Sequence, residues 1–419
     1  MMLLIPLIYF LLLATYFYYK HRCFNLDIAA TLILIAVSFF SILIDINDVY
    51  GDYGINEYAV TLPAVILYCI QWTLVLLPLH IISSIKLQKH EPHKLLFLSI
   101  FVGTLIISSV IMIAYSLSDI KEALIMDMVD VYRQNGTMRS MGGRGESNFL
   151  MLLPQIFVAA PFPTMALFLW FYLKAFTKTP IIIQIGLLAA SIVQAVLSII
   201  VAGRAALIYW IFDFFLLFGF FYQYLSVRLK KGISIASLVI GGLIIGQMLI
   251  ITISRFGDDS GRGSKVDPLV SLYAYAGQHV NNFCAVITEG ADSPLQIGRV
   301  LPLTNKIINH QDFDLIQHYE NIVASVNIYV NVFDTFGGEL YLDFGWFGYI
   351  IFFLILGFIT QIIRYNWQEL TFHRVFPATI MIAFFTRSIF AWPFVGHYTT
   401  LALILFVMAS FLFKYTFRI

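Results

Sequence analysis

In Gly203-Arg204-Ala205-Ala206 an arginine stands between two long apolar blocks with almost no loop around it. A guanidinium at the centre of a bilayer costs about 2.5–3.5 kcal/mol, so Arg204 belongs at the membrane boundary or in a cavity. Its bland role is to snorkel to the interface. Its functional role is to bind an anion, because a guanidinium is always charged and pairs bidentately with phosphate. Arg255 follows a later apolar block in the same way, and Gly261-Arg262-Gly263-Ser264-Lys265 comes soon after. Glycines there let the backbone approach an anion. Asp258 and Asp259 offset part of the charge, and a plain solvated turn is an equal reading of the string. Arg387 lies within a further apolar block, where an ionisable group is a functional hypothesis by default.

The carboxylates gather in one stretch. Asn331, Asp334, Thr335, Gly337, Gly338, Glu339, Tyr341, Asp343, Gly345 and Gly348 lead straight into an apolar block. Asp343 either caps the helix of that block or takes part in chemistry. Gly345 and Gly348 stand three apart, as small residues do where helices approach closely. The letters Asp343-Phe344-Gly345 carry no kinase meaning, since no Gly-rich or catalytic loop accompanies them. His310 and His318 are candidate general bases, and His397, in a short turn after Trp392-Pro393, is a further candidate. A lone histidine in a turn is more often structural. Asp213 is an embedded carboxylate able to partner an arginine. Cys23, Cys69 and Cys284 show neither metal-ligand spacing nor a disulfide framework. No metal site is expected.

The elements that position these residues are membrane helices. The chain is 60% hydrophobic and 12% charged, against about a quarter charged in soluble domains. Its apolar residues come in blocks of bilayer-spanning length. The expected fold is an all-α polytopic integral membrane protein with about eleven transmembrane helices and a large outer loop. The spans are read at 2–19, 28–44, 58–83, 95–117, 149–173, 181–202, 205–226, 234–253, 340–363, 375–393 and 397–413. The first block has no basic segment before it and no small-residue cleavage site after it, so it reads as a span and not a signal peptide. Residues 1–419 read as a single membrane domain with outer loops at 118–148, which holds Arg133, Arg139 and Arg144, and at 254–339.

Basic clusters set the orientation. Lys20/Arg22, Lys86/Lys89/Lys94, Lys174/Lys178, Arg228/Lys230/Lys231, Arg364/Arg374 and Lys414/Arg418 fall on one side. That side is cytoplasmic by the positive-inside rule. The N-terminus is then outside, the C-terminus inside, and the arginines and carboxylates above collect at the outer face. Within 254–339, residues 268–287 are apolar but interrupted by Gln278, His279, Asn281 and Asn282. They suit a helix at the interface or tucked against the bundle. A net charge of +1 gives no bulk affinity for nucleic acid.

This layout resembles the bacterial O-antigen or oligosaccharide repeat-unit polymerases (Wzy-type). The resemblance rests on Gly203-Arg204 opening a Phe/Leu-rich span, Arg255 after the next span, and a long outer loop ending in Asn331, Thr335, Tyr341-Leu342-Asp343-Phe344-Gly345 and Gly348. It implies a cofactor-free, metal-independent glycosyltransferase of the bacterial cytoplasmic membrane. The substrate would be an undecaprenyl-pyrophosphate-linked oligosaccharide, and a flippase and a chain-length regulator would be its partners. Arg204, Arg255, Arg262 and Arg387 would hold the pyrophosphate, and Asn331 and Tyr341 the sugar. The base is left open among Asp343, Glu339, His318 and His397. The rivals are a lipid-linked oligosaccharide flippase, an O-antigen ligase and a membrane acyltransferase. A flippase would use the arginines as a headgroup site without chemistry. A coupled transporter would more often place broken helices and carboxylates near the midplane.

Overall fold

The computed structural model describes residues 2–50, 55–56, 60–87, 95–125, 149–201, 203–256, 268–290, 300, 315–326, 328, 335–394 and 397–416. Helices dominate: α1 (Leu4–His21), α2 (Leu26–Ile46), α3 (Leu62–Ser84), α4 (Leu95–Tyr115), α5 (Leu117–Ile125), α6 (Phe149–Val158), α7 (Phe162–Phe176), α8 (Ile181–Leu197), α9 (Ala205–Phe221), α10 (Val227–Phe256), α11 (Pro268–Glu289), α12 (Leu315–Val326), α13 (Thr335–Asn366), α14 (Phe372–Ser388) and α15 (His397–Thr416). Each apolar block lies on one of these, or on the bent pair α6 and α7. By length and composition, 6 of the described helices are fit to cross a membrane, or 7 if the bent pair forms one span. Their outward surfaces are apolar: Phe347 is 77% exposed and Phe358 68%. A continuous surface of this kind is what lipid, not water, covers.

The chain forms two compact units. The first comprises Met1–Ile81, Phe256–Asn366 and Phe384–His397. Within it α11 crosses α2 at Gly277, where the backbone of Phe40 and Ser41 comes so near that no side chain fits. The crossing is pinned by Ser41 Oγ donating to Asn281 Oδ1 at 2.8 Å, and by the Asn56 main-chain and side-chain N–H groups donating to Asn282 Oδ1 at 3.0 Å. Lipid tails are as apolar as the side chains, so close approach and interhelical hydrogen bonds, ~0.6–2 kcal/mol each, hold such helices together. The polar insertions at 278–282 are therefore buried against neighbouring helices, the tucked alternative of the two expected for 268–287.

α13 is two helices joined at Gly345, whose φ of 62° and ψ of −161° are essentially closed to other residues. The arms fold back on each other. Tyr341 meets Trp346 at 5.1 Å, and Phe336 meets Phe352 at 5.6 Å and Phe353 at 6.1 Å. Every residue from Thr335 to Asp343 is buried. The short arm starts beside the middle of α3, where Phe336 packs on Trp72 at 5.7 Å and Gln71 Nε2 reaches Thr335 Oγ1 at 3.5 Å. Gly345 and Gly348 thus serve this hairpin: a side chain at 348 would collide with Phe344 of the opposite arm. The close helix approach expected at these glycines is that of the two arms of this hairpin.

The second unit comprises Ile82–Arg255, Trp367–Ala383 and Tyr398–Ile419. α6 and α7 meet at a 62° bend. α7 packs on α9 through Phe168, Phe171 and Phe221, with ring centroids 4.9 Å and 5.6 Å from Phe221. α4, α6 and α8 share a core of Met112, Val158 and Val193. A two-residue parallel pair joins Lys86–Leu87 to Glu369–Leu370. The cysteines at 23, 69 and 284 are free thiols.

Candidate functional site

Glu339 and Asp343 lie on the short arm of α13, in the first unit. Four residues apart, they share one face of the helix. Both are buried, at 3% and 1% exposure. Each carboxylate is oriented by a main-chain donor from a distant segment. Trp392 N–H donates to Glu339 Oε2 at 2.6 Å, and Val300 N–H donates to Asp343 Oδ2 at 2.7 Å. Of the two roles read for Asp343, a helix cap or a part in chemistry, its hydrogen bond with Val300 N–H is neither an N-terminal cap nor a test of the other. Asp343 sits in the last turn before Gly345 and grips the segment at Val300.

Arg387 occupies the last turn of α14, where a cation complements the carbonyl end of a helix. It is 5% exposed, and its guanidinium donates to Thr386 Oγ1 at 3.2 Å. Its carbonyl accepts from Phe390 and Ala391, which shapes the turn leading to Trp392. The Glu339 bond fastens the α13 arm to that same turn. Phe390 in the turn stacks edge-on against His279 of α11 at 4.7 Å. Burial pushes His279 down to about 3, so its imidazole is neutral near pH 7. It offers shape and a dipole there, and is a weak base. Tyr341 faces away from these groups, into a cluster with Val286, Ile322 and Tyr349.

Arg204 belongs to the second unit. It stands at the N-cap of α9, after the tight turn of Ser198–Val201, and its side chain is 6% exposed. Ser198 Oγ donates to the carbonyl of Gly203 at 3.1 Å and closes that turn. α5, which carries Asp119 and Glu122, packs against it. Asp213 is buried further along α9 and accepts from Thr164 Oγ1 at 2.6 Å, which ties α9 to α7.

The structure therefore brings Glu339, Asp343, Tyr341 and Arg387 into one unit. Arg255 lies in the last turn of α10, His318 in α12 and His397 at the start of α15, but their side chains fall outside the described residues. Arg262, His310, Asn331 and the arginines of 118–148 lie wholly outside them. Sequence reasoning did not find the main-chain donors of Trp392 and Val300, which leave no trace in residue identity. It noted His279 only as a polar interruption of an apolar helix, the one signal available. Comparison with family models, curated proteins and solved structures finds no match to this chain.

Proposed function

We propose that this protein is a membrane glycosyltransferase that polymerises undecaprenyl-pyrophosphate-linked oligosaccharide repeats at the outer face of the bacterial cytoplasmic membrane. The observation that carries this reading is Glu339 bonded to the turn that follows Arg387, with Asp343 one helical turn away. A carboxylate base and a guanidinium anion ligand are then parts of one rigid construction. The donor already holds a good leaving group. The acceptor hydroxyl attacks C1 of the donor sugar and the C1–O bond to pyrophosphate breaks. The hydroxyl proton passes to Glu339. Charge growing on the departing pyrophosphate is met by Arg387; Arg204 and Arg255 carry the pyrophosphate role only as the sequence resemblance implies it. Asp343 orients the arm and the sugar hydroxyls. The eleven-span topology, with the N-terminus outside and the C-terminus in the cytoplasm, belongs to the same proposal.

The test is direct. Purified protein given lipid-pyrophosphate repeats forms polymer without added nucleotide or metal salt. Failure of an active, folded preparation to extend its cognate repeat refutes the reading. A flippase for the same lipid is the second reading, favoured by the short arm of α13, which starts at mid-helix level of α3 as broken helices in transporters do. It predicts lipid translocation in proteoliposomes and no new glycosidic bond.

A further inference from the structure

A second polar cluster lies in the first unit, where α1 ends, α2 begins and α3 nears its end. Arg22 takes a left-handed conformation at φ 55° and its N–H bonds Tyr18, which stops α1. Asn25 caps α2 by accepting from Ile28 N–H at 3.0 Å. This short connection sets His21 beside Asp27, and α3 supplies His80. Asp27 is 1% exposed, and its Oδ2 stands 2.9 Å from His80 Nδ1 and 3.1 Å from His21 Nε2. The donor atoms of all three lie within 4.8 Å of one another. A tetrahedral zinc ion with bonds of about 2.0–2.1 Å spaces its ligand atoms ~3.3 Å apart. His21 Nε2 is buried, and its 3.1 Å contact with Asp27 Oδ2 falls short of good hydrogen-bond geometry.

We propose that His21, Asp27 and His80 form a divalent-metal site of the zinc type that clamps α1, α2 and α3 together. Two imidazoles and a carboxylate are a borderline donor set that suits zinc, and an exogenous ligand such as water completes the coordination. Lys20 Nζ now lies 2.8 Å from His80 Nε2. A metal on Nδ1 places the proton on Nε2, and the exposed Lys20 side chain swings away. Along α2, Asp27 and Ser41, where α11 docks, are separated by ~21 Å of helix at 1.5 Å per residue. The role of the metal site is structural, and it does not rest on the proposed activity.

The test uses full-length protein in detergent, purified without a histidine tag and stripped by chelator. Co²⁺ is titrated while its d–d absorption is followed, Zn²⁺ is then used to displace it, and metal content is measured separately. Wild type should bind one equivalent of Co²⁺ saturably, lose the bands on adding Zn²⁺, and melt at a higher temperature with Zn²⁺ present. Outer-shell partners alone are worth ~10–100-fold in metal affinity, so His21→Ala and His80→Ala should each weaken binding by at least that. Lys20→Met removes the competing ammonium and should bind at least as tightly as wild type. Absence of saturable binding by folded wild type would overturn the site, leaving Asp27 a carboxylate held by two imidazoles. Binding unaltered in both alanine variants, or weakened by Lys20→Met, would overturn it as well.

Discussion

Glu339 accepts the main-chain N–H of Trp392 at 2.6 Å, across 53 residues of sequence. That bond gives the carboxylate two separable duties, one structural and one chemical. Glu339→Gln keeps a carbonyl oxygen for Trp392 but cannot take a proton. Chain extension should fall about 10²–10⁴-fold, the usual worth of a general base, while the melting temperature stays near that of wild type. Glu339→Ala strands the part-buried Trp392 N–H, at a cost of up to about 1–3 kcal/mol, and should lose both activity and stability. Unchanged polymer length in the glutamine variant would remove Glu339 from the chemistry.

Arg387 and Arg204 are predicted to act as anion ligands. Alanine at either position should abolish chain extension with the protein still inserted in the membrane. Lysine should rescue only in part, since it keeps the charge but loses the bidentate fork. A surface-glycan gel of each variant, normalised to membrane protein level, reads the outcome. A normal ladder in well-expressed Arg204→Ala and Arg387→Ala cells would reduce both to interfacial anchors.

The helical class was legible because bilayer length is written directly into apolar runs, as at Leu26–Ile46 and Ala205–Tyr224. The hairpin in α13 was not. Hydropathy placed the start of a span near Leu340, but Thr335–Asp343 is a separate buried arm. Its carboxylates read as interfacial because a sequence window averages over the Gly345 reversal. Of the site, Glu339, Asp343 and Arg387 were legible as ionisable groups beside apolar blocks. Their positioning by Val300 and Trp392 was not, because backbone donors carry no residue signature. The cluster of His21, Asp27 and His80 was hidden for a related reason: His80 lies 53 residues from Asp27 and joins the neighbouring His21 and Asp27 only through helix packing.

Gly345 is the hinge on which the carboxylates depend. At φ 62° and ψ −161° a Cβ is strained whatever the surrounding space, at a cost of about 1–3 kcal/mol. Gly345→Ala should lower the melting temperature and abolish chain extension together, since the short arm can no longer fold back. Gly357 sits on the long arm of the same helix with nothing within 4 Å of an added Cβ. Gly357→Ala is therefore a matched control that should change neither. If the two variants behave alike in thermal denaturation and on the gel, the hairpin is not what positions the site.

Orientation decides whether the arginines can meet a lipid-linked substrate at the outer face. The basic clusters place residues near Lys230 in the cytoplasm and residues near 300 outside. An alkaline phosphatase fused after residue 300 should be active, and one fused near Lys230 inactive. The reverse pattern would put Glu339, Asp343 and Arg387 on the cytoplasmic side and end the substrate argument.

The decisive phenotype comes from loss of the gene. A polymerase acts after its substrate has crossed the membrane, so its absence leaves single repeats still supplied at the outer face. The surface glycan should then collapse from a ladder to one repeat unit on the acceptor. Loss of a flippase instead traps repeats inside and displays none. Loss of a ligase leaves long chains stranded on the carrier lipid. One gel together with an analysis of carrier-linked glycans separates the three patterns. A plasmid encoding the wild-type chain should restore the ladder, and one encoding Glu339→Gln should leave single repeats. A normal ladder in the deletion strain, with no second polymerase present, would rule out polymerisation as the function, whatever the chemistry of the outer arginines.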